Sequence, residues 1–312
     1  MMKRINYILL MLLLLLPVVS CSSDDVPEVE MVSIAYSISN FSVDEATTRA
    51  TEVAGSTAEQ QIDNLYLFLF DTNGANPKKQ YISAASFTGG TWDAANGRVT
   101  LNLSQAEVGT RQVYVIANVS ATLRTTLDGV TTLTELRAAA VTSNTPWSPT
   151  LTTPILMSGN ATHNFVANPI LSSVSLIRAL AKIELNITLP VEHQDAIATK
   201  YKFQLKDLDK KTYVLNPTAK PNDLVSFPTT GWQNWEQAGV FSSYVIVSGK
   251  VTTLKIVTYL NERDIAGSYI NIQLPYNPGG LMPPPEFEDD IFKMLLPETI
   301  LRNHWYQYTI SL

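Results

Sequence analysis

The sequence contains a single cysteine, Cys21, in 312 residues. Without a second cysteine the chain cannot form an internal disulfide, and a metal site built on cysteines is excluded as well. None of the three histidines stands in a metal-ligand spacing, such as two histidines four apart on a helix. A glycine-rich phosphate loop and a Gly-x-Ser-x-Gly nucleophile elbow are also missing. These absences argue against an enzyme, and we expect no cofactor and no metal.

Charged residues are scarce, at 16% of the chain, and the formal net charge is −6. No basic stripe interrupts this acidic balance, which argues against a nucleic-acid partner. The hydrophobic fraction is 45%, so the chain can bury a sizeable core. Because disulfides are excluded, stability must come from that burial.

Residues 1–20 have the features of a secretory signal peptide. Lys3 and Arg4 precede an apolar run from Ile8 to Val19, which is too short for a membrane-spanning helix. A small residue followed by cysteine is the pattern of a bacterial lipoprotein signal. We therefore predict that Cys21 becomes the first mature residue and carries acyl chains, palmitate among them. The alternative is an ordinary signal peptide that happens to end beside a cysteine.

The segment 21–30 is acidic and contains a proline, which is typical of a flexible tether. Acidic residues directly after a lipidated cysteine resemble the surface-export tag of some Gram-negative lipoproteins. The sequence therefore predicts attachment to the outer membrane, with the protein exposed at the cell surface.

Beyond the tether, apolar residues alternate with polar ones, which is typical of half-buried β-strands. Val32, Ile34, Tyr36 and Ile38 are the clearest example, and the same period recurs down to the C-terminus. The run 62–70 is almost wholly apolar, so both of its faces should be covered. The pattern predicts an all-β protein made of two tandem β-sandwich domains with few short helices.

The predicted domains span 31–170 and 171–312. A sandwich of about seven strands takes roughly 100 residues, so two fit after the tether. Within the first domain, Leu133, Leu136 and Ala140 have helical spacing and predict one short helix.

Several segments resemble the fimbrillin superfamily, the subunits of type V pili. Their order and spacing across nearly the whole mature chain carry the resemblance, rather than any single motif. The segments are Ile62–Asp71, Val113–Asn118, Pro154–Gly159, Ile177–Ile183 and Ile300–Ile310.

The resemblance implies transthyretin-like or immunoglobulin-like sandwiches, polymerisation with other pilus subunits, and a role in adhesion. It also implies export as a lipoprotein followed by a cut between Arg49 and Ala50 by a trypsin-like protease. Arg49 is the only basic residue between Asp44 and Gln61, a polar stretch that reads as a flexible linker. The competing interpretation is an ordinary solvated loop arginine.

Strand exchange, also implied by the resemblance, suggests two sets of residues. A cut at Arg49 would allow loss of the strand with Val32, Ile34, Tyr36 and Ile38, and a neighbour could fill the gap by β-augmentation. The candidate donor is the C-terminal segment, unless this strand merely closes its own domain. Its alternating residues are Tyr306, Tyr308, Ile310 and Leu312. The mature subunit would be a stalk or tip component, whereas an uncleaved one would be a membrane anchor.

A second hypothesis is a surface lipoprotein that binds a glycan or protein of a host or bacterial surface. Trp232 and Trp235 are the candidate glycan-binding residues, because aromatic faces suit sugar rings, although packing in the core is the usual role of such residues. The acidic loop 283–290 is a weaker candidate for Ca²⁺, since it lacks the ligand spacing of an EF-hand.

Overall fold

The structure, a computed structural model, describes residues 30–45, 48–143, 146–148, 151–218, 220, 229–237, 242–277 and 289–312. Met31–Leu312 form one compact unit. Most of its elements are short strands, which confirms the all-β prediction.

The strands of the first half are β1 (Met31–Ile38), β2 (Phe41–Glu45), β3 (Thr48–Val53), β4 (Leu65–Phe70), β5 (Lys78–Ile82), β6 (Ser86–Phe87), β7 (Gly90–Asp93), β8 (Arg98–Ser104), β9 (Thr110–Ala117), β10 (Ala140–Thr142) and β11 (Met157–Asn164). The later strands are β12 (Ile170–Arg178), β13 (Ala181–Thr188), β14 (Lys202–Lys206), β15 (Lys211–Tyr213), β16 (Gln233–Asn234), β17 (Ser242–Val247), β18 (Lys250–Leu260), β19 (Tyr269–Leu274), β20 (Asp290–Leu295) and β21 (His304–Ser311). The helices are α1 (Gln105–Val108), α2 (Ala121–Gly129) and α3 (Leu133–Ala138), with 3₁₀ turns at Ala58–Gln60, Val191–His193 and Ala198–Lys200.

The first sheet has the strand order β5-β4-β9-β11-β12-β1-β8-β7-β6. Side chains from its two ends meet in one core, since Leu67 and Val115 belong to the same buried cluster as Ile34 and Val99. The inward-facing positions follow the period of two that the sequence predicts.

Strand β4 is buried at every residue, as its apolar composition predicts. Leu65, Leu67 and Leu69 face the first core, whereas Tyr66 and Phe68 belong to a separate cluster. That second cluster includes Leu123 and Leu127 of α2. A sheet covered on both sides has no solvated face, which explains why alternation is absent here.

The sequence predicted one helix near Leu133, and α3 confirms it, although Ala140 lies in β10. Helix α2 was missed. It begins after Ser120, whose hydroxyl accepts a hydrogen bond from the Leu123 amide and so caps the helix. None of the helices in the described ranges is long and apolar enough to cross a membrane.

The strands of the second half of the chain, joined by β2 and β3, form a six-stranded sheet, β17-β18-β13-β21-β2-β3, and a four-stranded sheet, β16-β14-β19-β20. Both sheets contribute to one core, in which Leu185 and Ile256 of the larger sheet join Phe203 and Ile272 of the smaller one. Two sheets that share one core in this way form a β-sandwich.

Strand β12 begins at residue 170 but pairs with β1 and β11 of the first sheet. The first strand after it that pairs in the six-stranded sheet is β13, which begins at Ala181. By strand pairing, a division into two sandwiches falls at residues 179–180. The hairpin of β2 and β3 is out of chain order, because it belongs to the six-stranded sheet although it follows β1 directly.

Gly159 provides a test of the packing between β11 and β12. A Cβ atom at this position would lie 2.1 Å from the carbonyl oxygen of Ser175, so Gly159→Ala must force the two strands apart. We expect the free energy of unfolding, measured by denaturant titration, to fall by about 1–3 kcal/mol.

The matched control is Gly129→Ala in α2, where no atom lies within 4 Å of the added carbon. Helix propensity predicts no loss there, and a gain of up to about 1 kcal/mol. Equal losses in the two variants would contradict the close approach at Gly159.

Candidate functional site

Strand β1 lies inside the first sheet, between β12, which runs parallel to it, and β8, which runs antiparallel. We call this position the β1 slot. Val32 and Ile34 are fully buried in it, and Ile38 packs against the same core. Each buried aliphatic side chain of this size contributes about 1.5–3 kcal/mol. Removing β1 would therefore expose an apolar groove bordered by two strand edges.

Tyr36, the remaining sequence-predicted residue of β1, is held by a specific contact. Its hydroxyl oxygen accepts a hydrogen bond from Trp92 Nε1 at 2.8 Å. Burial raises the pKa of Tyr36, and the nearby Asp93 adds to that rise, so the phenol stays neutral. The β1 slot thus binds the Tyr36 hydroxyl through one hydrogen bond, in addition to packing against apolar side chains.

After β1 the chain passes directly into the other sandwich. Ser39 and Asn40 make the crossing, and β2 then pairs in parallel with β21, from Ser42 opposite His304 to Glu45 opposite Gln307. We call Ser39–Phe41 the crossover. Residues upstream of Arg49 therefore contribute a strand to each of two sheets.

The crossover is held by Arg178, at the end of β12, whose side chain is fully buried. Its Nη1 donates hydrogen bonds to the Ser39 carbonyl oxygen at 2.8 Å and to Asn303 Oδ1 at 2.9 Å, and its Nε donates to the Glu59 carbonyl oxygen. The guanidinium carbon lies 4.2 Å from the centre of the Phe41 ring. Burial lowers the pKa of Arg178, and the charge of Glu59 opposes that fall.

Glu59 is the anion of this cluster and is fully buried. Lys182 Nζ lies 3.1 Å from its Oε1, and the hydroxyl of Tyr259 donates to the same oxygen at 2.6 Å. Burial alone would raise the pKa of Glu59. Hydrogen bonds from Tyr259 and from Ser56, with the charge of Lys182, outweigh burial and hold that pKa below its usual value.

Arg49 lies in strand β3, and not in a flexible linker as the sequence suggested. Strands β2 and β3 form an antiparallel hairpin in which Val43 pairs with Thr51 and Glu45 with Thr48. The register shifts between these pairs, so Arg49 and Ala50 together stand opposite the single residue between Val43 and Glu45. This is a β-bulge in the last strand of its sheet. A bulge disrupts the hydrogen-bond ladder locally and an edge strand is paired on one side only, so β3 is held by fewer ladder hydrogen bonds than an interior strand.

The C-terminal residues form β21, which lies between β13 and β2 in the six-stranded sheet. Seven residue pairs, from Lys182–Trp305 to Thr188–Ser311, join it to β13. Tyr306 is buried, Tyr308 and Ile310 pack partly against the second core, and Leu312 is 37% exposed. In this structure β21 pairs within its own domain, which is one of the two interpretations that the sequence left open.

The two candidate glycan-binding tryptophans do not share a surface. Trp235 is buried in the second core, where its Nε1 donates to the Lys255 carbonyl oxygen and its ring packs against Phe203. Trp232 is 39% exposed. The structure therefore corrects the glycan-binding prediction for Trp235, because its ring belongs to the core.

Other sequence-predicted sites lie outside the described residues, namely Cys21 with the signal and tether up to residue 29, and residues 283–288 of the acidic loop. Within the described ranges, no group of three or more His, Cys, Asp or Glu side chains is placed to hold a metal ion.

Sequence reasoning missed the roles of Glu59, Arg178 and Asn303. A signal was available for two of them, since Arg178 and Asn303 lie inside segments that carry the family resemblance. A charged residue at the end of an apolar strand is costly to bury, which makes it a candidate for a specific role. For Glu59 the local signal is the capping-box spacing Ser56-x-x-Glu59, whereas its partners Lys182 and Tyr259 come from distant strands.

Comparison with known proteins agrees with this geometry. The profile of the major fimbrial subunit protein (FimA) matches residues 32–200, more than half of the chain. The profile of the C-terminal part of the minor fimbrium tip subunit MfA4 matches residues 179–311. A relative, the minor fimbrium tip subunit MfA4 of Porphyromonas gingivalis, is 42% identical over 94% of this chain and 95% of its own length.

The chain belongs to the fimbrial subunit family. Such a subunit assembles with other subunits in a fimbrium at the cell surface and serves adhesion. The prediction that the chain is not an enzyme is confirmed, because its relatives are structural subunits of fimbriae.

A more distant relative, the major fimbrium subunit FimC of Porphyromonas gingivalis, is 30% identical over 74% of this chain and 47% of its own length. Solved structures share the fold. A protein described as a cell adhesion protein of Parabacteroides distasonis has a TM-score of 0.57, at 16% identity and 90% coverage of this chain and 87% of its own. The tip fimbrial protein Mfa3 of Porphyromonas gingivalis has a TM-score of 0.53, at 13% identity and coverage of 91% and 95%.

The buried carboxylate of Glu59 predicts a pH-dependent contribution to stability. Glu59→Gln removes the charge that Lys182 faces, and we expect the free energy of unfolding to fall by about 3–5 kcal/mol near neutral pH. Because the folded state lowers the pKa of Glu59, its contribution is present above the usual carboxyl pKa of 4.5 and is lost as the pH falls through the lower folded value.

Denaturant titrations at about pH 7 and about pH 3 should therefore show the difference between wild type and Glu59→Gln shrinking in acid. Glu52→Gln, at an exposed position in β3, is the control and should change little at either pH. A difference that stays constant or grows in acid would contradict a stabilising charge at Glu59.

Proposed function

We propose that this protein is a fimbrial tip subunit that is exported as a lipoprotein, matured by a cut between Arg49 and Ala50, and assembled by β-strand exchange. Cys21 carries the lipid and attaches the precursor to the outer membrane. The tip role is supported by the 42% identity, over nearly the whole chain, to a relative that is a tip subunit.

One observation carries the proposal. Strand β1 occupies an interior slot, yet its continuation to the rest of the chain runs through the bulged edge hairpin that contains Arg49. A cut at this bond would leave β1 and β2 held by non-covalent contacts alone. No other covalent bond would need to break for the slot to empty, although the ladder hydrogen bonds of β1 with β12 and β8 would have to separate.

The emptied slot would favour polymerisation. The facing edges of β12 and β8 would present unpaired backbone groups, and the groove beneath them would present apolar side chains. Both features are costly in water, and an extended segment of another subunit removes both costs at once. The positions exchanged are those of Val32, Ile34, Tyr36 and Ile38.

The C-terminal strand takes part as a receiving edge in this proposal. Loss of β2 would uncover β21 along His304–Gln307, so an incoming segment that continues beyond the slot pairs there, beside Tyr306. The residues Tyr308, Ile310 and Leu312 prolong the same strand.

Maturation is tested with the chain from residue 21 onward, Cys21 replaced by serine, and a limiting amount of an arginine-specific, trypsin-like protease. We expect one early product that begins at Ala50, identified by intact mass, followed by oligomers in size-exclusion chromatography. The physical reason is that the bulged edge strand separates from its sheet more readily than interior strands.

Arg49→Lys should block this cut, whereas trypsin, which accepts lysine, should still make it. Arg137→Lys, at an exposed position in α3, is the matched control and should leave the early product unchanged. If the first cut falls elsewhere, or if Arg49→Lys makes no difference, the proposed maturation site is wrong. A cut chain that keeps its N-terminal segment and stays monomeric would instead favour an anchor role.

Lipid attachment is tested with the full-length chain expressed in a Gram-negative host with labelled palmitate. The wild-type chain should incorporate label and fractionate with the outer membrane. Cys21→Ser should do neither, because it lacks the residue that carries the acyl chains, and several acyl chains are needed for stable anchoring. Ser22→Ala is the control and should keep the label. Equal labelling of wild type and Cys21→Ser would contradict lipidation at Cys21.

A further inference from the structure

Phe41 is fully buried at the point where the chain leaves the first sheet. Its ring lies 4.2 Å from the Arg178 guanidinium carbon and 5.7 Å from Lys182 Nζ, and the Trp305 ring meets it edge-on at 6.4 Å between centres. Aromatic faces attract cations, and the attraction grows when water is excluded. The ring therefore packs in a pocket formed by Arg178, Lys182 and Trp305, which we call the seat.

The backbone around Phe41 is held as well. The Ser39 carbonyl oxygen accepts from Arg178 Nη1 at 2.8 Å, and the Asn40 carbonyl oxygen accepts from Asn303 Nδ2 at 2.6 Å. The Ser42 amide donates to the Asn303 carbonyl oxygen at 3.0 Å. These backbone contacts impose no side-chain requirement of their own, so the choice of side chain rests with the seat for Phe41.

We propose that Arg178, Lys182, Asn303 and Trp305 form a clamp that selects the segment replacing β1 and β2 by requiring an aromatic side chain at the position of Phe41. The inference rests on the proposed function, since it concerns the segment that enters after cleavage. The occupant is an extended strand of a second subunit with alternating apolar residues, a short crossover and then an aromatic ring.

Charge explains why the seat prefers a ring. Arg178 and Lys182 bring two positive charges, and Glu59 brings one negative charge, which lies 3.1 Å from Lys182. An aliphatic side chain fills the volume but offers no π face to the guanidinium. A basic side chain adds a third cation to a buried site and is strongly disfavoured.

The clamp also sets the register of the incoming strand. Ile38, the last residue of β1, and Phe41 are separated only by Ser39 and Asn40, whose carbonyl oxygens are both bound. A strand displaced by one residue would turn its apolar side chains out of the slot and carry its ring past the seat. One aromatic residue thus reports whether the whole strand is correctly placed.

The test uses the protein cut after Arg49 and fluorescent peptides of residues 30–45, whose exchange into the protein is followed by anisotropy. We compare the natural peptide with Phe41→Leu and Phe41→Lys. Loss of the cation–π contacts should weaken binding about 10-fold for leucine, and the added buried charge about 100-fold or more for lysine. The matched control is Ser37→Ala, at an exposed position of β1, which should bind about as well as the natural peptide.

The outcomes separate the two proposals. If the natural peptide does not exchange, strand exchange itself is wrong and the clamp loses its purpose. If the natural peptide exchanges and the leucine and lysine peptides bind as well as it does, the clamp is overturned and strand exchange stands. Because the peptides alone are altered, misfolding of the protein cannot produce either result.

Two further measurements keep the test decisive. Lys182→Met in the protein should reduce the preference for phenylalanine over leucine, and an unchanged preference would remove Lys182 from the clamp. If Arg49 resists the protease, the cut is made at a recognition sequence for another protease placed at residues 46–49. The same peptide comparison then decides the clamp independently of the natural maturation site.

Discussion

The buried guanidinium of Arg178 is the interaction on which the arrangement of this protein depends. A fully buried cation is tolerated only when it is paired and hydrogen-bonded, and its partners here come from separate parts of the chain. The Glu59 carbonyl, the Ser39 carbonyl and the Asn303 side chain meet at one point. Because this point lies where β12 ends and the second sandwich begins, these hydrogen bonds also hold the N-terminal segment where it crosses from one sheet to the other.

The N-terminal segment therefore has an unusual energetic position. Its first strand lies inside the first sheet, with Val32 and Ile34 fully buried, and its second strand pairs with β21 and β3 in the other sheet. Its covalent connection to the rest of the chain nevertheless runs through β3, the last strand of that sheet. Strong burial and a vulnerable connection are opposite properties that normally occur in different parts of a protein. Their combination is what the proposed maturation by a single cut requires.

The sequence predicted the strands well, because a period of two survives wherever one face is buried. Strand β4 was predicted correctly for the opposite reason, since it is covered on both faces. Helix α2 was missed because its apolar residues Leu123 and Leu127 are separated by polar threonines and an arginine, and its start depends on a single capping serine. The assignment of Trp235 needed the core around it, which is assembled from strands far away in the sequence.

The candidate site was predictable only in part. The pattern at Val32–Ile38 indicated a buried strand, and the basic residue at Arg49 indicated a cut, but the hairpin and its bulge depend on pairing with β2, which in turn depends on β21. Glu59 had only the local spacing Ser56-x-x-Glu59 as a signal, and that spacing does not predict its burial. Its burial is compensated by Lys182 and Tyr259, and these residues approach it only when the two sheets are in place.

The sequence by itself determined the all-β class, the exclusion of internal disulfides and the resemblance to a pilus subunit family, and it predicted export. These properties depend on composition, on local periodicity and on short segments of the sequence. The tertiary structure alone decided that β1 lies between β8 and β12, that β2 crosses to the other sandwich, and that Arg178 donates hydrogen bonds at the crossover. The reason is physical: alternation specifies which side chains face inward, whereas backbone hydrogen bonds are the same for every strand, so only long-range packing and buried charge can choose the neighbour.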